Sequence, residues 1–331
     1  MKKVAIYACH NCQMLDVTGP FQVFATANTL AAEAIYQPLL VSDTIGAVMT
    51  NSGMSLVADY DRDSLPALDT LLVAGGFGAK QRDDDQVLLD WLNRQAAQVR
   101  RIGSVCTGAF LLAAAGLLDG RRAVTHWRMC DELTSRYPEI DVIADAIYIA
   151  DDGVYTSAGV TAGIDLALSL VRADCGQELA TEVARELVMF MHRPGGQAQF
   201  QSQPALPDLS AGPLRQAIEL LRTDLERVGN VEMLADAVSV TVRHLSRLFR
   251  QELSMTPADY IGQVRLHRAQ QLLEKGARSL DQVAEACGLS NADQLRRLFC
   301  RRLGITPTEY QQRFAGLESL RKEVKNGEQR C

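Results

Sequence analysis

The sequence contains no apolar run approaching the roughly 18 residues that a membrane-spanning helix requires, so no such helix is expected. No export signal is expected either. "MKKVAIYACH" opens with two lysines, but its apolar run is soon broken by "HNCQ" and no small-residue cleavage site follows, so it reads as a first strand of a cytoplasmic protein. The eight cysteines, Cys9, Cys12, Cys106, Cys130, Cys175, Cys287, Cys300 and Cys331, are dispersed, and the close pair Cys9/Cys12 has no second pair to complete a zinc cage. Reduced thiols, no metal and no cofactor are expected. With 47% apolar and 22% charged residues the composition carries no disorder signature, and 331 residues favour two domains, each able to bury a core.

Charge separates those two domains. Residues 1–211 hold 15 Lys+Arg against 25 Asp+Glu, whereas residues 212–331 hold 19 against 15, so the acidic and basic parts are expected to meet different partners. Between them, "HRPGGQAQFQSQPALPDLSAGP" accumulates Gly, Pro, Gln and Ser while apolar periodicity stops. We read residues 1–198 as one domain, 199–211 as linker, 212–316 as a second domain and 317–331 as a polar tail.

Before the linker, short apolar runs ("KVAIYAC", "TLLVAGG", "RRIGSVC") alternate with helical patterns ("GPFQVFATANTLAA", "DQVLLDWLNRQAAQ"). The alternation predicts an α/β fold, a flavodoxin-like doubly wound parallel sheet with helices on both faces and functional groups at the carboxyl ends of its strands. After the linker the pattern is all helix and repeats itself: Leu234 to Tyr260 resembles Val283 to Tyr310, with an offset of 49 at Ala235/Ala284 and 50 at Phe249/Phe299, Pro257/Pro307 and Tyr260/Tyr310. One extra residue therefore sits in the second copy's turn.

The second copy, "LDQVAEACGLSNADQLRRLFCRRL", reads as a short helix, a tight turn at Gly288, an N-cap at Ser290 and a longer basic helix. Helix, turn, helix is the geometry that presents a second helix to a DNA groove. Leu295, Leu298 and Phe299 follow helical spacing towards a core, leaving Asn291, Asp293, Gln294, Arg296, Arg297 and Arg301 outside. In the first copy Arg243, His244, Ser246, Arg247 and Arg250 surround Leu245, Leu248 and Phe249 in the same way. Arg can hold guanine, and Asn or Gln adenine, in bidentate fashion. A solvated basic face on a helical bundle is the bland alternative for one copy; two copies joined by "TPADYIGQVRLHRAQQLLEKG" favour an all-α double helix-turn-helix domain that binds double-stranded DNA.

From about Ile218 to Phe314 the chain resembles the AraC/XylS family of transcription regulators, through "YIGQVRLHRAQQLL", "VAEACGLSNADQLRRLF" and "GITPTEYQQRF". The resemblance implies two helix-turn-helix units in successive major-groove segments, with RNA polymerase as a further partner where the regulator activates. Cys300 departs from the pattern, standing where a basic or polar residue is expected.

In the first domain "RIGSVCTGAFLLAAAGLLDG" places Cys106 between a strand and a helix, with small neighbours Ser104 and Gly108, as a sharp nucleophile elbow needs. A helix starting at about Thr107 would aim its N–H groups at the sulfur, favouring the thiolate or binding an anionic ligand. Asp16, Gly75, Gly76 and His126 lie at other apparent strand ends and complete the candidate site with Cys106 and Thr107. Each also has a structural reading: Asp16 as a helix N-terminal acid, Gly75 and Gly76 as a tight turn, His126 as a partly buried histidine.

Over about Lys2 to Phe200 the chain resembles the ThiJ/PfpI branch of the class I glutamine amidotransferase-like superfamily, through "LDVTGPFQVF", "VAGGFG", "SVCTGAFLLAAAGLLDGRRAVTHW", "YTSAGVTAGIDLALSLV" and "HRPGGQAQF". It is especially similar to isocyanide hydratases and to the sensor domains of AraC-family regulators of the GlxA type. The resemblance implies that Cys106 is the elbow cysteine, Asp16 the nearby acid and Thr107 a contact beside them. The "H-x-E" of a glutaminase triad is missing, so glutamine hydrolysis is not expected. Three readings stay open: a regulator whose small-molecule effector, by resemblance a nitrogenous metabolite, binds at the elbow; a Cys106 and Asp16 enzyme akin to an isocyanide hydratase with a DNA-binding appendage; and a redox sensor at Cys106. By the same resemblance the protein is expected to be a homodimer.

Overall fold

A computed structural model of the chain describes residues 1–190, 196–197, 212–253, 255–275 and 279–314. The linker expected at 199–211 and the tail expected at 317–331 lie outside the described residues. The chain divides into two compact units, Met1–Ala198 and Gln199–Cys331.

In the first unit β1 (Lys2–Tyr7), β2 (Tyr36–Ser42), β5 (Tyr60–Asp61), β6 (Thr70–Val73), β7 (Arg101–Val105), β10 (Tyr148–Asp151) and β11 (Val154–Ser157) form one sheet. Its order is β10-β11-β7-β6-β1-β2-β5, parallel except for β10. β3 (Gly46–Met49) and β4 (Ser55–Ala58) make a separate antiparallel hairpin, and β8 (Arg122–Ala123) pairs with β9 (Asp141–Val142). The helices are α1 (Met14–Leu30), α2 (Phe77–Lys80), α3 (Gln86–Ala96), α4 (Gly108–Ala114), α5 (Cys130–Arg136), α6 (Ala162–Cys175) and α7 (Gln177–Glu186).

The continuous apolar runs are explained by burial on both faces of the sheet. Ala5, Tyr7, Leu71 and Val73 enter one core with Leu88, Trp91 and Leu92 of α3 and Phe110 of α4. Val4, Ile6 and Leu72 enter the other with Val17 and Phe24 of α1 and Leu166 and Leu170 of α6. This is the doubly wound arrangement. Chain order reverses between β1 and β6, so the crevice of an open α/β sheet falls at their carboxyl ends, next to that of β7.

The first helix departs from expectation: it begins at Met14, not near Gly19, and carries Pro20 in its interior. Pro20 cannot supply the N–H that would bond the Asp16 carbonyl. Packing overrides that loss, because Gly19 lies so close to α6 that a Cβ there would meet Ile164 at 3.0 Å.

In the second unit α8 (Pro213–Thr223) precedes two copies of one motif: α9 (Val231–Ala237) with α10 (Val242–Leu253), and α12 (Leu280–Glu285) with α13 (Ala292–Leu303). α11 (Pro257–Glu274) links them and α14 (Pro307–Phe314) closes the second. Each copy buries its phenylalanine edge-on against the following tyrosine, Phe249 on Tyr260 at 5.4 Å and Phe299 on Tyr310 at 5.6 Å between ring centroids. Each turn closes alike, with Val240 N–H donating to Ala235 O at 3.0 Å and Leu289 N–H to Ala284 O at 2.9 Å.

The second turn corrects the expected cap. Asn291, not Ser290, is the N-cap of α13, accepting from Gln294 N–H at 3.0 Å, just as Thr241 accepts from His244 N–H at 3.2 Å before α10. Ser290 is the extra residue of the longer turn. Its N–H donates to Gln294 Oε1 at 3.2 Å.

Candidate functional site

The elbow sits where the sheet reverses. Cys106 follows β7 with φ at +57°, a left-handed conformation that costs a non-glycine residue energy and persists only where surrounding bonds hold it. Its N–H donates to Ser157 O at 3.0 Å, and its carbonyl accepts from Thr125 Oγ1 at 2.9 Å. Thr107 Oγ1 accepts from Gly76 N–H at 2.8 Å and donates to Gly76 O at 2.9 Å, fastening the elbow to the end of β6. Gly75 is confined: a Cβ there would lie 2.6 Å from Thr107 N and 2.8 Å from Asp16 Oδ2. Thus Asp16, Gly75, Gly76, Cys106 and Thr107 converge.

Asp16 lies in the first turn of α1 with no solvent exposure. Val160 N–H donates to its Oδ1 at 2.7 Å and Gly75 N–H to its Oδ2 at 3.1 Å, and the Cys106 thiol interacts electrostatically with the same carboxyl. Burial pushes Asp16 up to about 7 against the pull of these donors. Burial, then the Asp16 charge, push the Cys106 thiol well above its ordinary range, and the Thr107 contacts that favour the thiolate do not outweigh them. Burial thus works against the thiolate expected at a helix end. A seven-residue α4 with a buried first turn gives too little to offset desolvation.

The thiol is therefore neutral, a weak nucleophile and a serviceable hydrogen-bond donor. At 8% exposure it is the part of the pair that can touch a ligand, while Asp16 acts from behind it. His126 is half-buried beside Trp127, with ring centroids 5.5 Å apart, and its Nδ1 accepts from Arg128 N–H at 3.3 Å. Burial, then Arg128, lower its pKa, so the ring is neutral with the proton on Nε2. The ring's own partners belong to its own turn, and only the preceding residue, Thr125, bonds the elbow. Thr125, Ser157 and Val160 were missed from the sequence because they act through backbone groups or a single hydroxyl.

The basic helices form the second site. Arg243, His244, Ser246, Arg247 and Arg250 all line one groove of about 510 Å³ along α10. Arg247 Nη2 lies 3.1 Å from His244 Nδ1. On α13, Asp293, Gln294, Arg296, Arg297 and Arg301 are exposed, as are Asn291 at its cap and Cys300. Asn291 and Gln294 each spend an oxygen on the cap and keep their amide donors. Arg297 is paired with Asp293 at 2.6 Å, whereas Arg302 turns back to Asp259 of α11 at 2.9 Å and ties the second recognition helix to the linking helix. No group of metal-ligating side chains occurs among the described residues, and none of the described helices is long and apolar enough to cross a membrane.

An α/β domain with a buried cysteine elbow, joined to two helix-turn-helix units with exposed basic helices, defines a DNA-binding transcription regulator of the one-chain kind. Residues 2–173 match the DJ-1/PfpI family and residues 234–313 a helix-turn-helix domain. The chain is 30% identical over 305 residues to the HTH-type transcriptional regulator GbdR of Pseudomonas aeruginosa, covering 91% of this chain and 82% of that one. It is 36% identical over 202 residues to the isonitrile hydratase of Pseudomonas putida, covering 61% and 78%. Among solved structures, an AraC family transcriptional regulator from Pseudomonas putida superposes with a TM-score of 0.50 at 27% identity, over 56% of this chain and 100% of that one. The chain belongs to the DJ-1/PfpI family, in the group whose members carry an AraC-type helix-turn-helix domain.

Proposed function

We propose that a small nitrogenous metabolite binds at the elbow and that its preference for one arrangement of the chain alters how α10 and α13 engage DNA. The Cys106 elbow, set beside a buried Asp16 where the sheet order reverses, carries this reading: burial favours the protonated thiol, which offers a donor to a polar ligand. Cys106, Thr107 and the His126 Nε2–H form the contact set, with Asp16, Gly75 and Gly76 setting its shape. The similarity to a relative named isonitrile hydratase supports a nitrogen-bearing ligand. In this reading the protein works in the cytoplasm as a homodimer, since paired half-sites raise affinity, and contacts RNA polymerase where it activates.

The test is to incubate the protein with a defined set of amino acids, quaternary amines and isocyanides and follow each by mass spectrometry, then to measure DNA binding with the retained compound. A compound retained intact that changes DNA affinity is the expected result. The Cys106 and Asp16 pair and the relative named isonitrile hydratase favour hydration as the second reading. Turnover of an isocyanide by the wild type and its loss in Cys106→Ala would establish that reading instead.

A further inference from the structure

We propose that Gln197 is a positioning residue that couples the elbow to the chain leaving the α/β unit. Gln197 is 3% exposed. The two N–H groups of its Nε2 are shared among three backbone carbonyls, Thr125 O at 3.0 Å, Ala144 O at 3.1 Å and Ala146 O at 3.0 Å, and its main-chain N–H donates to Asp145 O at 3.1 Å. One side chain thus gathers the turn after β8 and the loop before β10. Thr125, fully buried, is the hub: its carbonyl takes the Gln197 amide while its hydroxyl donates to the Cys106 carbonyl at 2.9 Å. The carbonyl of Thr125 also faces Cys130 Sγ at 3.7 Å, and the following residue is His126.

The path runs Cys106, Thr125, Gln197, and each step is a hydrogen bond within the first unit. Gln197 stands one residue before the unit ends at Ala198, and from there the main chain continues to α8 of the DNA-binding unit. Unseating a buried amide leaves several inward-facing carbonyls without this donor at once, so we take the seated and unseated arrangements as the two alternatives. A ligand that displaces the elbow carbonyl or turns the Thr125 and His126 peptide changes the balance between them. The coupling rests on the effector-regulated reading above.

The experiment uses the full chain and a duplex that the wild type selects from a random-sequence library. Gln197→Ala and Thr125→Val, neither near the recognition helices in sequence, are expected each to change affinity for that duplex by about fivefold or more. Acting through one path, the double variant should move affinity no further than the larger single change. Gln197→Asn, which keeps the amide but shortens its reach, decides the matter if the alanine variant does not fold. Affinities within about twofold of wild type in folded Gln197 variants, or single effects that multiply in the double variant, overturn the coupling. Failure of the wild type to select any duplex would instead overturn the regulatory reading itself.

Discussion

Cys106 shows how one buried charge neighbour and a dry environment set a thiol's chemistry. Its strained backbone and bonded carbonyl belong to an elbow, yet desolvation keeps the proton on sulfur. Iodoacetamide at neutral pH should therefore modify exposed Cys300 well before Cys106, as read by peptide mass spectrometry, and labelling of Cys106 as fast as Cys300 would contradict the neutral thiol. The elbow itself was legible from small residues around a cysteine between a strand and a helix; burial, which decides the sign of the shift, is not a property of that stretch. A second residue-scale contrast lies in the two turns. Gly288 takes φ at +67°, and a Cβ there would lie 2.6 Å from Leu225 O, while the equivalent Ser239 carries its side chain at φ +56°. Gly288→Ser should destabilise the second unit by more than about 1 kcal/mol, and Ser239→Gly should be neutral or stabilising, both measured by urea unfolding. Equal losses in both variants would contradict this contrast between the turns.

At the scale of elements, the amino-end side of the sheet is held by one carboxylate. Asp174 of α6, 2% exposed, pairs with Lys2 of β1 at 3.0 Å, Arg100 at 3.0 Å and Arg101 of β7 at 2.9 Å, and accepts from Tyr36 of β2 at 3.1 Å. Burial raises its pKa, but the bonds from Arg101, Lys2 and Arg100 prevail and hold it down to about 2. A depressed carboxyl contributes stability that is fully present above its unfolded value, about 4, and is lost as pH falls through about 2. Asp174→Asn should cost about 3 kcal/mol at neutral pH, because nearly buried Arg101 loses its partner, and should flatten the acid limb of stability between those values. An unchanged acid limb would place the pH dependence elsewhere. The alternating strands and helices were legible because two-sided burial leaves continuous apolar runs. The start of α1 was not: Gly19 and Pro20 read locally as a break, and only the close crossing with α6 explains a helix running through them. Likewise the inserted residue was visible as a change of offset, but Ser290 and Asn291 are both good caps, and which one caps depends on where the turn spends its extra residue. Arg302 on α13 pairs with Asp259 on α11, too far along the sequence for a spacing rule to find.

The whole molecule places an acidic α/β unit and a basic helical unit on one chain, with the net positive balance confined to the part that carries α10 and α13. α11, 18 residues and so about 27 Å long, joins the two recognition helices rigidly enough to fix their relative phase. That length is of the order of one turn of DNA, about 34 Å between successive major-groove segments on one face. Loss of a phosphate contact lowers affinity at all sequences and reduces the salt slope by about 0.9, whereas loss of a base contact costs about 1–3 kcal/mol and relaxes one position. The two helices should therefore have separable footprints. The most direct measurement is hydroxyl-radical footprinting of the selected duplex with wild type, with Arg243→Ala/Arg247→Ala on α10 and with Arg296→Ala/Arg297→Ala on α13. Two protected segments about one helical turn apart, each weakened by the variants of one helix only, are the predicted result. A single protected segment, or protection unchanged by both sets of substitutions, would contradict DNA recognition by paired helix-turn-helix units.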